Sequence, residues 1–151
     1  EIRLSLVGSE MCIRDRLRVC GKDCDGMLLP AGPLLVAAQL PDSNPVKKSA
    51  LAYVETYEKA NGAGSTNTFG GHMWDAGQLV VAALPVALKS GAKPGTPEFR
   101  VAMRDALEGV KDLAASQGVF NMSPTDHAGF DERSRVIVKV EGGKWVYQPG
   151  L

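Results

Sequence analysis

Apolar residues crowd one stretch of the chain, the run Leu79 to Leu88, which is entered through Asn67-Thr68-Phe69-Gly70-Gly71-His72-Met73-Trp74-Asp75-Ala76-Gly77-Gln78. This pattern predicts a Gly-rich loop that carries an aromatic ring into a helix beginning near Gly71 and ending by Gly91. The helix is apolar enough to expect burial on nearly every side. Pro85 lies inside it and is expected to kink or locally break it, because proline removes one backbone hydrogen bond. The remaining segments read as covering for that helix.

Upstream, Met27-Leu28-Leu29 opens a strand that Pro30, Gly32 and Pro33 interrupt. Leu34 to Leu40 resumes extended structure, and Pro41-Asp42-Ser43-Asn44-Pro45 forms a stiff, hinge-like connector. Asn44 as N-cap and Pro45 in the first helical position predict a helix. Val46, Ala50, Tyr53, Val54 and Tyr57 recur at helical spacing on one side of it, Lys47, Lys48, Glu55 and Glu58 take the other, and Asn61-Gly62 closes it. Downstream, Thr96 as cap, Pro97 first and Glu98 near the positive end of the dipole mark another helix. Its stripe is Phe99, Met103, Ala106, Leu107 and Val110, and Gly109 weakens its end. Gly118 to Met122 reads as a short strand and Ser123 to Glu132 as a polar loop. Val136, Val138 and Val140 line one face of a strand, and Gly142-Gly143 turns it into a last strand around Trp145-Val146-Tyr147. Helices followed by a hairpin, with a strap in front, make an α/β pattern in which the central helix needs more sheet and helix around it than these elements supply.

The first residues fit no such pattern. Leu6 to Asp15 back-translates in one frame to the kind of adapter used to build sequencing libraries, so residues 1–16 are read as a read-through artefact and set aside, the alternative being a genuine N-terminal strand. The natural chain then begins near Leu17. Composition narrows the function more than the fold. With 44% hydrophobic and 23% charged residues, and with Lys plus Arg equal to Asp plus Glu at 17 each, the chain has no net field to draw nucleic acid or an anionic membrane. The run Leu79 to Leu88 is too short to cross a bilayer, which takes about 20 residues. Of the 3 cysteines, Cys12 lies in the set-aside segment, and Cys20 and Cys24 are read as ordinary thiols, with a local disulfide as the alternative.

Candidate chemistry is sparse. Asp126, His127 and Asp131 bring oxygen and imidazole into one loop, but Pro124 and Gly129 make turn chemistry the better account. His72 and Asp75 stand three apart with no third ligand at metal spacing. No nucleophile elbow, phosphate-binding glycine loop or paired-carboxylate signature is present, so neither an enzyme nor a metal or cofactor is expected.

The order of several segments carries a resemblance. The helix and Gly-rich linker come first, then Phe69 and Trp74-Asp75-Ala76, Pro94-Gly95-Thr96-Pro97-Glu98-Phe99-Arg100 and Arg104-Asp105-Ala106-Leu107-Glu108. Gly118-Val119-Phe120-Asn121-Met122-Ser123-Pro124-Thr125-Asp126-His127-Ala128-Gly129 and Gly143-Lys144-Trp145 follow. In that order, from about Asp23 to Tyr147, the chain resembles the C-terminal part of branched-chain-amino-acid-type ABC-transporter substrate-binding proteins. No single motif is diagnostic.

The resemblance implies an incomplete type I periplasmic-binding-protein fold with pieces of two α/β lobes. Residues 17–40 would belong to the C-terminal lobe and 41–135 to the N-terminal lobe, while 136–151 would be a crossing strand and the end of the C-terminal lobe. It implies a periplasmic or extracytoplasmic protein that captures an amino acid, or a similar small organic acid or amide, by domain closure and delivers it to an ABC permease in the membrane. A ligand-sensing domain of the same fold, serving a receptor or regulator, is the alternative. The resemblance carries over one ligand residue, Phe69, as a ring covering the apolar part of the solute, against an ordinary core aromatic. Gly70 and Gly71 join the site on a physical argument, since small residues would let ligand or the opposite lobe approach the amides of a helix N-terminus. His72 either faces the same cleft or caps and packs.

Overall fold

The computed structural model describes Leu17 and residues 21–150; the segment 1–16, set aside above, and Cys20 lie outside the described residues. Contacts divide the chain into two compact units, one spanning Gly32–Arg135 and the other made of the flanking segments that end at Ala31 and begin at Val136.

The flanking unit is built on a three-stranded antiparallel sheet. Its order is β1 (Leu28–Ala31), β4 (Val136–Glu141), β5 (Lys144–Gln148), and in chain order β2 and β3 belong to the other unit. Val136, Val138 and Val140 are buried on one face of β4, and Ile137 and Lys139 alternate with them on a partly covered face, as the two-residue period requires. Gly142 and Gly143, at φ 57° and 72°, supply the two left-handed residues of the tight turn into β5. Pro30 does not interrupt β1. It sits opposite Ile137 on a strand whose only partner among the described residues is β4, where a missing N–H costs little. Cys24 is disulfide-bonded, which overturns its reading as an ordinary thiol.

The larger unit begins with a correction. Pro33–Gln39 is not extended but a 3-10 helix with Pro33 in its first turn, broken in φ/ψ at Val36. Proline's fixed φ suits a helical start, and Leu34 and Ala37, on either side of the break, both enter a core with Val46, Ala50, Tyr53 and Val119. Helix α1 (Lys47–Asn61) starts two residues later than expected. Asn44 caps the turn ahead of it instead, its side chain accepting from the Val46 amide at 2.9 Å and its carbonyl from Lys47 at 3.2 Å. Gly62, at φ 94°, ends α1.

Helix α2 (Thr68–Leu88) starts at Thr68, not near Gly71, and runs unbroken through Pro85. The Asn67 cap draws Phe69, Gly70 and Gly71 into the first turn in place of a loop. Nor is α2 buried on every side. Gly71, Asp75, Ala83 and Ala87 are buried and Leu79 packs against the core, all on one stripe at four-residue steps, while Met73, Val80, Val81, Leu84, Val86 and Leu88 are exposed. The helix spends its small residues on contacts within the unit, where Ala83 and Ala87 meet Ala106 of α3 (Pro97–Glu108) closely. Its large residues lie elsewhere. Thr96 caps α3, its hydroxyl accepting from Phe99 at 3.2 Å. A two-residue pairing of β2 (Leu113–Ala114) with β3 (Val119–Phe120) completes the unit, and the sequence pattern did not signal β2.

Candidate functional site

The sequence-predicted residues all fall on the first turn of α2. Asn67 caps that turn, its side-chain oxygen accepting from Gly70 N at 2.8 Å and its carbonyl from Gly71 N at 3.1 Å. Tyr53 of α1 donates its hydroxyl to the same carbonyl at 3.2 Å, and burial pushes the Tyr53 pKa up. Gly70 is needed because a Cβ there would overlap the Tyr53 hydroxyl and lie 3.3 Å from its ring carbon Cζ. At Gly71 a Cβ would overlap a Leu34 methyl and stand 3.1 Å from Gln117 Nε2 and 3.2 Å from Ser116 Oγ. Both glycines therefore serve close packing within the chain. The space beside Gly71, which is buried, is filled by the chain's own side chains rather than left for a ligand. Phe69 is 54% exposed, so it is not a core aromatic among the described residues, and His72 beside it is also exposed.

Asp75, one turn further on, is 1% exposed. One carboxylate oxygen accepts from Ser116 N at 2.7 Å and the other from Gln117 N at 2.9 Å. Burial raises the Asp75 pKa, opposed by these hydrogen bonds and by the positive potential of His72. The carboxylate thus pins the β2–β3 turn onto the start of α2. Ser116 Oγ reaches the Gly71 carbonyl at 3.3 Å, and Gln117 Nε2 donates to that of Thr68 at 3.0 Å. Both Asp75 oxygens are engaged in this way, and among the described residues no group of three metal-ligating side chains forms around it. An aspartate in the middle of an apolar helix was the available signal, since a buried charge must find partners.

The loop Asp126, His127 and Asp131 separates in the same way. Asp126 accepts from the amides of Ala128 and Gly129, both at 3.0 Å, and His127 lies 3.1 Å from Glu108. Asp131 is held by Arg133, whose guanidinium lowers its pKa to about 2.

A groove that the sequence did not single out runs along α1 and α2. Tyr53, Tyr57, Gly70, Met73, Trp74, Gly77, Gln78 and Val81 line about 570 Å³ of it, with no charged side chain among them. Tyr53 organises its wall, with ring centroids 5.4 Å from Tyr57 and 5.8 Å from Trp74, both tilted. The four-residue spacing of Tyr53 and Tyr57 was visible, but Trp74 joins them only through helix packing.

No family model and no curated protein matches the chain. Solved structures do. An extracellular ligand-binding receptor from Rhodopseudomonas palustris HaA2 is 43% identical with a TM-score of 0.81, over 89% of this chain and 38% of that one. A second receptor so described, from R. palustris, is 43% identical at 0.80, over 89% and 37%. A further one from strain HaA2 is 39% identical at 0.79, with the same 89% and 37%. The chain therefore spans well under half the length of the structures it matches, and its α/β architecture is an incomplete periplasmic-binding fold. The similarity is to ligand-binding receptors rather than enzymes, and these are extracellular. Among the described residues no helix is long and apolar enough to cross a membrane.

Proposed function

We propose that this chain is part of the solute-binding component of an ABC importer of the branched-chain-amino-acid type. The whole protein works outside the cytoplasm, captures an amino acid or a related small organic acid or amide between two lobes, and delivers it to a membrane permease. We assign residues 32–135 to one lobe and the segments on either side to the other, moving the first boundary from the expected 40/41 to 31/32, where the two compact units divide. The observation that carries the reading is the 54% exposure of Phe69 on the first turn of α2, in a fold matched at 43% identity by ligand-binding receptors. A large ring left in water on a rigid, capped helix start is placed to cover an apolar ligand group.

In this reading Phe69 covers the apolar part of the solute and His72 flanks it. Gly70 and Gly71 contribute by letting Tyr53 and Leu34 hold the turn rigid. In the complete protein Phe69→Ala weakens solute binding by about 1–3 kcal/mol, from lost apolar cover. Calorimetry with a panel of amino acids, amides and aromatic acids checks this, and unchanged affinity would return Phe69 to a structural role. Solute uptake that requires the cognate permease separates the transport reading from a sensor of the same fold.

A further inference from the structure

Three donors from outside helix α2 converge on the carbonyls at its start. The Tyr53 hydroxyl donates to Asn67 O at 3.2 Å, Gln117 Nε2 to Thr68 O at 3.0 Å and Ser116 Oγ to Gly71 O at 3.3 Å. Phe69 lies between these carbonyls in the chain and is 54% exposed. The main chain of the turn is therefore gripped while its aromatic residue is left open.

Gln117 is the anomalous member of the three. It is 2% exposed, and its Oε1 is buried with no hydrogen-bond partner among the described residues. Turning the amide over gives no relief, because Oε1 would then meet the Thr68 carbonyl oxygen across the 3.0 Å that the Nε2 donor spans. A buried acceptor left unpaired destabilises a fold. Nor does the β2–β3 turn need this side chain to stay in place. Asp75 takes the main-chain amides of Ser116 and Gln117, which any residue except proline provides. An unbranched apolar side chain would fill the space beside Gly71 without the orphaned oxygen, and the Thr68 carbonyl would keep its bond within α2.

We propose that Gln117 is a positioning residue for the turn that presents Phe69. Its Nε2 fixes the Thr68 carbonyl, one residue before the ring, and the side chain is kept for this despite what its second amide atom costs in stability. The inference rests on the reading of Phe69 as a solute contact. Stability and binding then change in opposite directions when Gln117 is replaced, which an ordinary structural hydrogen bond does not produce. Without Nε2 the first turn of α2 opens more readily, and Phe69 has to be ordered as the solute arrives.

The test replaces Gln117 in the complete gene product by Gln117→Met, which is unbranched and adaptable, with Gln117→Leu as a second apolar variant in case one of them packs badly. The urea midpoint of the better-packed variant is expected at or above that of wild type. Amide hydrogen exchange across Thr68 to Gly71 becomes about three- to tenfold faster, and the affinity for whichever of L-leucine, acetamide or benzoate the wild type binds in calorimetry falls by about the same factor. Midpoints lowered in both variants, or failure of both to fold, overturn the proposal, because Gln117 is then an ordinary part of the packing. Unchanged exchange in the first turn of α2 overturns it as well, and so does faster exchange with unchanged affinity. Phe69→Ala, measured alongside, keeps the two readings apart. Binding weakened by Phe69→Ala but not by Gln117→Met leaves the receptor standing and removes the positioning role. Wild type that binds none of the three solutes counts against the receptor, and exchange then decides by itself whether Gln117 holds the turn.

Discussion

Replacing Asp75 with alanine removes both acceptors that hold the β2–β3 turn. Ser116 and Gln117 are 0% and 2% exposed, so their amides lose the Asp75 oxygens at 2.7 and 2.9 Å inside the protein, away from bulk solvent. Each buried donor left unsatisfied costs about 1–3 kcal/mol, which gives about 2–6 kcal/mol for the pair. The lower half of that range is expected, because burial already penalises the ionised carboxylate and its removal relieves that penalty. Asp75→Asn keeps one acceptor and turns an amide N–H2 towards the other donor, so it falls between wild type and alanine. Urea unfolding followed by tryptophan fluorescence measures both. The pH dependence gives a second readout. The folded pKa lies above the unfolded 3.8, so the native state binds more protons between those values, and stability from this group falls as pH rises through that window. Asp75→Asn loses that slope. An alanine variant within about 0.5 kcal/mol of wild type would show that the Asp75 hydrogen bonds do not hold the turn.

Gly70→Ala drives a methyl into the Tyr53 hydroxyl and is expected to cost about 1–3 kcal/mol. Adding Tyr53→Phe removes the obstructing oxygen and recovers most of that loss, so strictly additive effects in the double variant would refute the contact. Asp131 has the opposite sign to Asp75: the Arg133 guanidinium lowers its pKa to about 2, so its contribution is present above 3.8 and is lost as pH falls from there towards 2. A carboxyl titration by NMR should find Asp131 near that value and Arg133→Gln should move it back up. A midpoint that stays put in the variant would assign the shift to another group.

The pieces that were legible are those whose causes are local. Thr96, Pro97 and Glu98 start α3 where the caps say, Gly62 ends α1, and the alternation of Val136, Val138 and Val140 gives the buried face of β4. Each depends on a hydrogen bond or a period spanning only a few residues. The errors came where a local preference met a stronger nearby one. Asn67 capping drew two glycines into a helix, and burial of Leu34 and Ala37 turned an extended strap into a 3-10 helix. Of the candidate site, Phe69 and His72 are exposed on that capped turn, where the sequence had put a loop, but the reason for Gly70 and Gly71 was not legible. It lies in Tyr53, Leu34, Ser116 and Gln117, which arrive from other elements.

Sequence alone determined the helices α1, α2 and α3, the terminal hairpin, the absence of net charge and the apolar character of α2, because composition and short-range periodicity carry these. Tertiary structure decided which stripe of α2 is covered, that Asp75 is a buried pin rather than a reactive group, and that three aromatic rings share one groove. Those outcomes depend on contacts between distant residues, as between Asp75 and Gln117, 42 positions apart, and no local pattern encodes the side of a helix on which a distant turn will land.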